Sequence, residues 1–148
     1  MAYTDHLQTV NDALHALLIG EFETDIKFES EFQPNWKRSE YIRYWPVSQI
    51  YVSGNTSGED RQYTYDIDIY FNIKQMSRNV FKNTVSERLE RLKQLLMENR
   101  TYQPSDVYKW HDGTVDEIEI LKRDEEDDYE GIYYVHCEFT IMRFNQWA

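Results

Sequence analysis

The sequence holds one cysteine, Cys137, with three prolines and five glycines in 148 residues. No apolar run approaches the length that spans a membrane as a helix. A lone cysteine excludes an internal disulfide and a cysteine-based zinc site. With so few glycines there is no Gly-rich loop of the kind that cradles phosphate, and no Ser-His-Asp spacing of a hydrolase stands out. Basic residues are scarce too: 16 Lys and Arg face 27 Asp and Glu, for a formal net charge of −11. A general nucleic-acid binder needs a basic footprint, so the charge argues against that class. The opening residues, from Met1 to His6, have no basic region followed by an apolar block. A signal peptide is therefore not expected, and the chain suits a cytoplasm-like compartment.

The chain is rich in aromatics. It has 12 Tyr and 4 Trp, and aromatic residues make up 16% of it. Their amphipathic rings fit half-wet subunit interfaces, and they are equally favoured on strands. At this length one domain, residues 1–148, is the natural reading, with chain enough for a core.

Residues 63–73 carry the clearest pattern. Tyr63, Tyr65, Ile67, Ile69, Phe71 and Ile73 alternate with Thr64, Asp66, Asp68, Tyr70 and Asn72, the period of a strand with one face on a core. Residues 4–19 read as a helix, with Leu7, Val10, Leu14, Leu17 and Leu18 on one face, Thr4 as N-cap and Gly20 as its stop. Residues 26–32 alternate as a strand closed by Pro34. Residues 41–53 form a longer strand with large side chains on both faces and Pro46 in its middle, which suits an edge or a bulge. Residues 54–60 read as a mobile loop joining it to 63–73 in a long hairpin. A helix is expected from about Val80 or Thr84 to about Arg100. It has a capping box at Thr84 and Glu87, a stripe of Phe81, Val85, Leu89, Leu92 and Leu96, and an i, i+4 pair between Glu87 and Arg91. Residues 115–121 are a short strand, residues 124–130 an exposed acidic turn, and residues 133–144 a last strand. The order α-β-β-β-α-β-β predicts an α+β fold: an antiparallel or mixed sheet with residues 63–73 at its centre and two helices packed on one face.

Candidate chemistry is sparse. Asp66 and Asp68 emerge on one face of a strand, as paired carboxylates for Mg²⁺ would, but the better reading is a solvated strand face. His136 and Glu138 share the polar face of the last strand and read as exposed strand residues rather than metal ligands, since no second pair has matching spacing. The Asp25–Lys27 pair has the D-x-K form of one nuclease signature without an upstream acid on a strand. His111 falls in a probable turn. Cys137 lies on an apolar face as a buried, inert thiol. The acidic run lacks the spacing and glycine of an EF-hand. No catalytic, metal or cofactor residue is assigned. Lys74, Arg78 and Lys82 cluster between the central strand and the main helix, which reads first as a solvated helix entrance and second as an anchor for the acidic Asp124, Asp127 and Asp128 of a neighbouring copy.

In size, element order, the hairpin over 41–73, the helix over 84–100 and the closing strand Tyr133 to Phe144, the chain resembles the tail terminator proteins of long-tailed bacteriophages. The resemblance is one of pattern over nearly the whole chain. It implies a non-enzymatic virion subunit that forms a hexameric ring, caps the last ring of the tail tube, stops its growth and offers a joining surface to the neck and head. It implies tail tube and neck or head-completion proteins as partners, a location in the tail or neck after assembly in the host cytoplasm, and DNA passing through without specific binding. Another neck or head-completion protein, a small metal-dependent nuclease and a monomeric acidic binding module are the alternatives. A strand apolar on both faces must bury both, so Tyr44, Trp45, Tyr51 and Tyr70 are the expected contacts to an adjacent copy.

Overall fold

The computed structural model describes residues 5–31, 40–72, 78–103, 110–122 and 132–147. The elements are α1 (His6–Glu21), β1 (Asp25–Phe28), β2 (Glu40–Asn55), β3 (Gly58–Asn72), α2 (Arg78–Glu98), β4 (His111–Lys122) and β5 (Ile132–Gln146). Among these residues they form a five-stranded sheet of order β1-β2-β3-β5-β4. β1 runs parallel to β2 and all other pairs are antiparallel, so the sheet is mixed. β3 is its middle strand, and the α+β order agrees with the sequence pattern.

One face of the sheet carries the core. Ile42 and Tyr44 of β2, Tyr63, Tyr65, Ile67, Ile69 and Phe71 of β3, and Val135, Cys137, Phe139 and Ile141 of β5 form a single buried cluster. Val10, Leu14 and Leu18 of α1 and Val85, Leu92 and Leu96 of α2 close it from above. Both helices therefore sit on the same face. Leu92 is fully buried and Phe139 is 1% exposed, so cutting either back to Ala costs about 2–5 kcal/mol. Leu89 packs against this core while remaining partly exposed. Arg91 ties the helices together: its guanidinium lies 3.0 Å from Glu21 and 3.2 Å from Glu87, and stacks over the Phe22 ring.

Several boundaries differ from the sequence reading. The N-cap of α1 is Asp5, whose carboxylate accepts from the Gln8 amide at 2.9 Å. The helix runs through Gly20 to Glu21, because the Phe22 amide still reaches the Leu18 carbonyl at 2.9 Å. The Thr84–Glu87 capping box lies inside α2, which begins six residues earlier at Arg78. β1 ends at Phe28, short of the predicted strand to residue 32. Trp110, just before the turn expected at His111, is fully buried: its ring meets Phe139 edge-on at 6.1 Å and its Nε1 donates to the Asn99 carbonyl at 2.7 Å. Next to it His111 opens β4 with an irregular register, and Asp112 takes a positive φ of 51°.

The expected mobile loop at 54–60 is instead a tight turn. β2 and β3 stay paired out to Asn55 and Gly58. The Asn55 side chain accepts from the Ser57 amide at 2.8 Å and hydroxyl at 2.6 Å, the local closure that favours Asn in turns. The tip is also held by the end of β5, where the Trp147 amide donates to the Ser57 carbonyl at 2.8 Å. Gly58 is required by that approach, since a Cβ there would lie 2.4 Å from the Asn145 carbonyl oxygen.

Candidate interface and the polar face of the sheet

The β2–β3 hairpin divides into two unlike halves. In the half near the core, β1 pairs with Tyr41 to Tyr44, and both faces of β2 are buried. Tyr44 is 3% exposed, with its ring against His15 and Phe28 and its hydroxyl 2.9 Å from His15 Nδ1. Burial pushes its phenol up to about 12. Tyr70 is 2% exposed and stacks between Tyr41 and Tyr134, with ring centroids 5.1 and 5.0 Å apart. Tyr44 and Tyr70, two of the expected contact residues, are thus buried within the chain itself.

The far half of the hairpin is different. Beyond Tyr44 no described strand pairs with the outer edge of β2. Pro46, which cannot donate to a ladder, falls on this edge segment next to a register shift. Val47, Ile50, Tyr51 and Val52 stand exposed, Tyr51 at 63%. Trp45 is half-buried, its ring 4.6 Å from that of Phe28. Phe144 and Trp147, at the end of β5 that borders the hairpin tip, are exposed as well. Of the charged residues expected at the rim, Arg78 begins α2 and Lys82 is exposed on it. Lys74, Asp124, Asp127 and Asp128 lie outside the described residues.

The sheet face turned away from the helices holds a buried polar cluster. Arg43 of β2 and Asp68 of β3 are register partners, as are Asp68 and His136 of β5. Arg43 is 8% and Asp68 2% exposed. The Arg43 guanidinium donates to Asp68 Oδ2, which also accepts from the Tyr70 hydroxyl at 3.3 Å. His136 Nδ1 donates to Asp68 Oδ1 at 2.6 Å, and that hydrogen bond raises the His136 pKa above its ordinary value. The second Arg43 nitrogen donates to the carbonyls of Glu29 at 3.1 Å and Ser30 at 2.9 Å, bringing the chain that leaves β1 onto this face. Asp66 is half-buried, and desolvation raises its pKa.

The two aspartates do share a face, as their spacing requires. The expectation of a solvated strand face is nevertheless corrected: Asp68 is the centre of a buried ion-pair network. Alternation assigns a residue to a face, but what covers that face comes from partners 25 and 68 residues away. Asp25 and Lys27, the nuclease-like pair, lie on the four-residue strand β1.

No family model matches the chain, and no curated protein does. Among solved structures it is similar to a sheath/tube terminator of an extracellular contractile injection system, PVC, in the extended state. The TM-score is 0.62 at 9% sequence identity, over 100% of this chain and 58% of that one. The chain thus spans little more than half the length of that neighbour. At such identity the likeness establishes a shared fold.

Proposed function

We propose that the chain is a structural terminator subunit: it assembles into a ring, a hexamer, that caps the end of a tail or injection tube, halts its growth and presents a surface to the next component. The observation that carries the reading is the fold likeness to a sheath/tube terminator along the whole chain. The exposed far half of the hairpin supports it. A strand edge with no described strand beside it, and with Val47, Ile50, Tyr51 and Val52 facing water, is a hazard in a free monomer and a ready contact in an assembly, where aromatic anchors dominate the binding energy. Copies in a ring meet through two different patches, so this edge would contact another part of the adjacent subunit. Trp45 and Tyr51 are its anchors. Lys74, Arg78 and Lys82 on one copy and Asp124, Asp127 and Asp128 on the next form its charged rim, which tunes the rate of association more than its strength. In this role the chain needs no catalysis. Its partners are tube and sheath proteins, with neck or head-completion proteins if the particle is a phage. A net charge of −11 lets DNA pass without sticking.

Solution mass tests this directly. The wild-type chain should sediment at six times its 18.0 kDa, alone or when supplied with tube. Trp45→Ala with Tyr51→Ala should release folded monomers, and Lys74, Arg78 and Lys82 changed to Glu should slow assembly. Full-size rings from the aromatic double variant would reject the hairpin as the interface. A strictly monomeric chain in the presence of tube would reject the terminator reading.

A further inference from the structure

The polar face of the sheet also holds a second group of side chains, which shares His136 with the Arg43–Asp68 network. Asp66 of β3 and Glu138 of β5 are directly opposed, and His136 stands two residues before Glu138 on the same face. One donor atom from each of Asp66, His136 and Glu138 lies within 4.8 Å of the other two, and all three side chains are half-buried. His136 Nε2 is 4.0 Å from Asp66 Oδ1. No hydrogen bond to a described side chain engages Asp66 or Glu138.

His136 is prepared for such a group. Its Nδ1–H is donated to Asp68 Oδ1 at 2.6 Å, and Asp68 is in turn fixed by Arg43 and by the Tyr70 hydroxyl at 3.3 Å. In the neutral ring this fixes the tautomer, leaving the lone pair on Nε2, the nitrogen on the side of Asp66. A carboxylate behind a histidine, itself held by further hydrogen bonds, is the arrangement that orients and strengthens a metal-ligating imidazole. Two carboxylates brought together on a partly dry face repel each other, and a divalent cation removes that repulsion. Around a tetrahedral ion with bonds of about 2.0–2.2 Å, donor atoms sit roughly 3.3–3.6 Å apart. The three side chains therefore need only small χ rotations to close on one.

We propose that His136 Nε2, Asp66 and Glu138 form a binding site for a divalent transition-metal ion of the zinc class, with Asp68 as the residue that positions His136. One nitrogen and two carboxylates suit zinc better than Mg²⁺ or Ca²⁺, which favour all-oxygen sets. Three protein ligands leave a further position for water or for a side chain from elsewhere. The site would cross-link β3 to β5 and is independent of the terminator reading.

The test is titration calorimetry of the full chain with ZnCl₂ at neutral pH. It is joined by a long-range ¹H–¹⁵N spectrum of the histidines and by visible absorption with Co²⁺. Wild type should take up one Zn²⁺ per chain, with the His136 Nε2 resonance shifted and Nδ1 still protonated. Asp66→Asn and Glu138→Gln lie outside the Arg43–Asp68 pair and should keep the fold by circular dichroism. Each should weaken binding by about tenfold or more, at least as much as losing an outer-shell partner does. His111→Gln, at the exposed His111–Asp112 pair, should leave the affinity unchanged. The proposal is overturned by no zinc uptake at millimolar metal, by uptake that Asp66→Asn and Glu138→Gln leave intact, or by Mg²⁺ binding as strong as Zn²⁺ with the His136 resonances unmoved.

Discussion

Changing Asp68 to Asn alters one atom, and the structure predicts a large effect. Asp68 accepts on both oxygens, from His136 on one and from Arg43 and Tyr70 on the other. Asparagine has one acceptor oxygen and turns an amino group toward one of those donor sets. It also removes the only carboxylate that Arg43 contacts among the described residues, and Arg43 is 8% exposed. Breaking a buried ion pair by removing one partner costs about 3–5 kcal/mol, because the other charge stays behind without compensation. For a domain of this size each kcal/mol moves the melting temperature by roughly 2–4 °C, so the midpoint should fall by about 6–20 °C. Asp66 is the internal control, on the same strand and the same face. Among the described residues no arginine donates a hydrogen bond to it, and burial raises its pKa. A carboxyl whose folded pKa is raised disfavours folding once the pH exceeds its unfolded value. With metal removed by chelator at pH 7.5, Asp66→Asn should therefore melt at or slightly above wild type. Urea and thermal unfolding of both variants, followed by circular dichroism, decide the matter. If Asp68→Asn stays within about 1 kcal/mol of wild type, or Asp66→Asn costs as much, the buried network has been given the wrong weight.

Two further outcomes are expected. Gly58→Ala places a methyl 2.4 Å from the Asn145 carbonyl oxygen and 2.7 Å from the Phe144 ring; it should cost about 1–3 kcal/mol as overpacking and speed hydrogen exchange at the Trp147 amide, and unchanged exchange would mean the hairpin tip is not pinned to β5. Cys137 is fully buried and its thiol is pushed up to about 12 by burial, so native protein at pH 8 should resist a disulfide reagent that labels it at once in denaturant, and rapid native labelling would contradict its place in the core.

Much of this fold is legible because its signal is local. The alternation from Tyr63 to Phe71 follows from the pleat of one strand, and the stripe of Val85, Leu92 and Leu96 from the turn of one helix; all of them are buried. What escapes is set by pairs far apart in sequence. Asp66 and Asp68 are chemically identical and share a face, yet their environments differ because Arg43 and His136 arrive opposite one of them. A sign was available: Tyr41, Arg43, Tyr70 and Tyr134 all share the sheet face of Asp68, and so many large side chains on one face suggest a face that is covered. The hairpin tip escaped for a related reason. Asn55 and Gly58 look like loop composition, but the need for glycine comes from β5, 87 residues later at Asn145.

The two halves of the hairpin also separate folding from assembly. Near the core the large side chains of β2 are taken up inside the chain: Tyr41 in an aromatic stack, Ile42 and Tyr44 in the core, Arg43 on Asp68. Past Trp45 the same strand has its apolar residues in water and no described neighbour on its outer edge. The exposed half keeps its shape because β3 pairs with it to the end and β5 holds the tip. The chain thus builds a three-stranded arm, β2 paired with β3 and β3 with β5, and an arm held in shape in this way loses little conformational entropy on docking. Substitutions at Ile50, Tyr51 or Val52 should consequently leave unfolding within about 0.5 kcal/mol of wild type while changing solution mass, whereas substitutions at Arg43, Tyr44 or Tyr70 should lower stability first and affect assembly only through it. A Tyr51 variant that unfolds as readily as a Tyr44 variant would show that the arm belongs to the core after all.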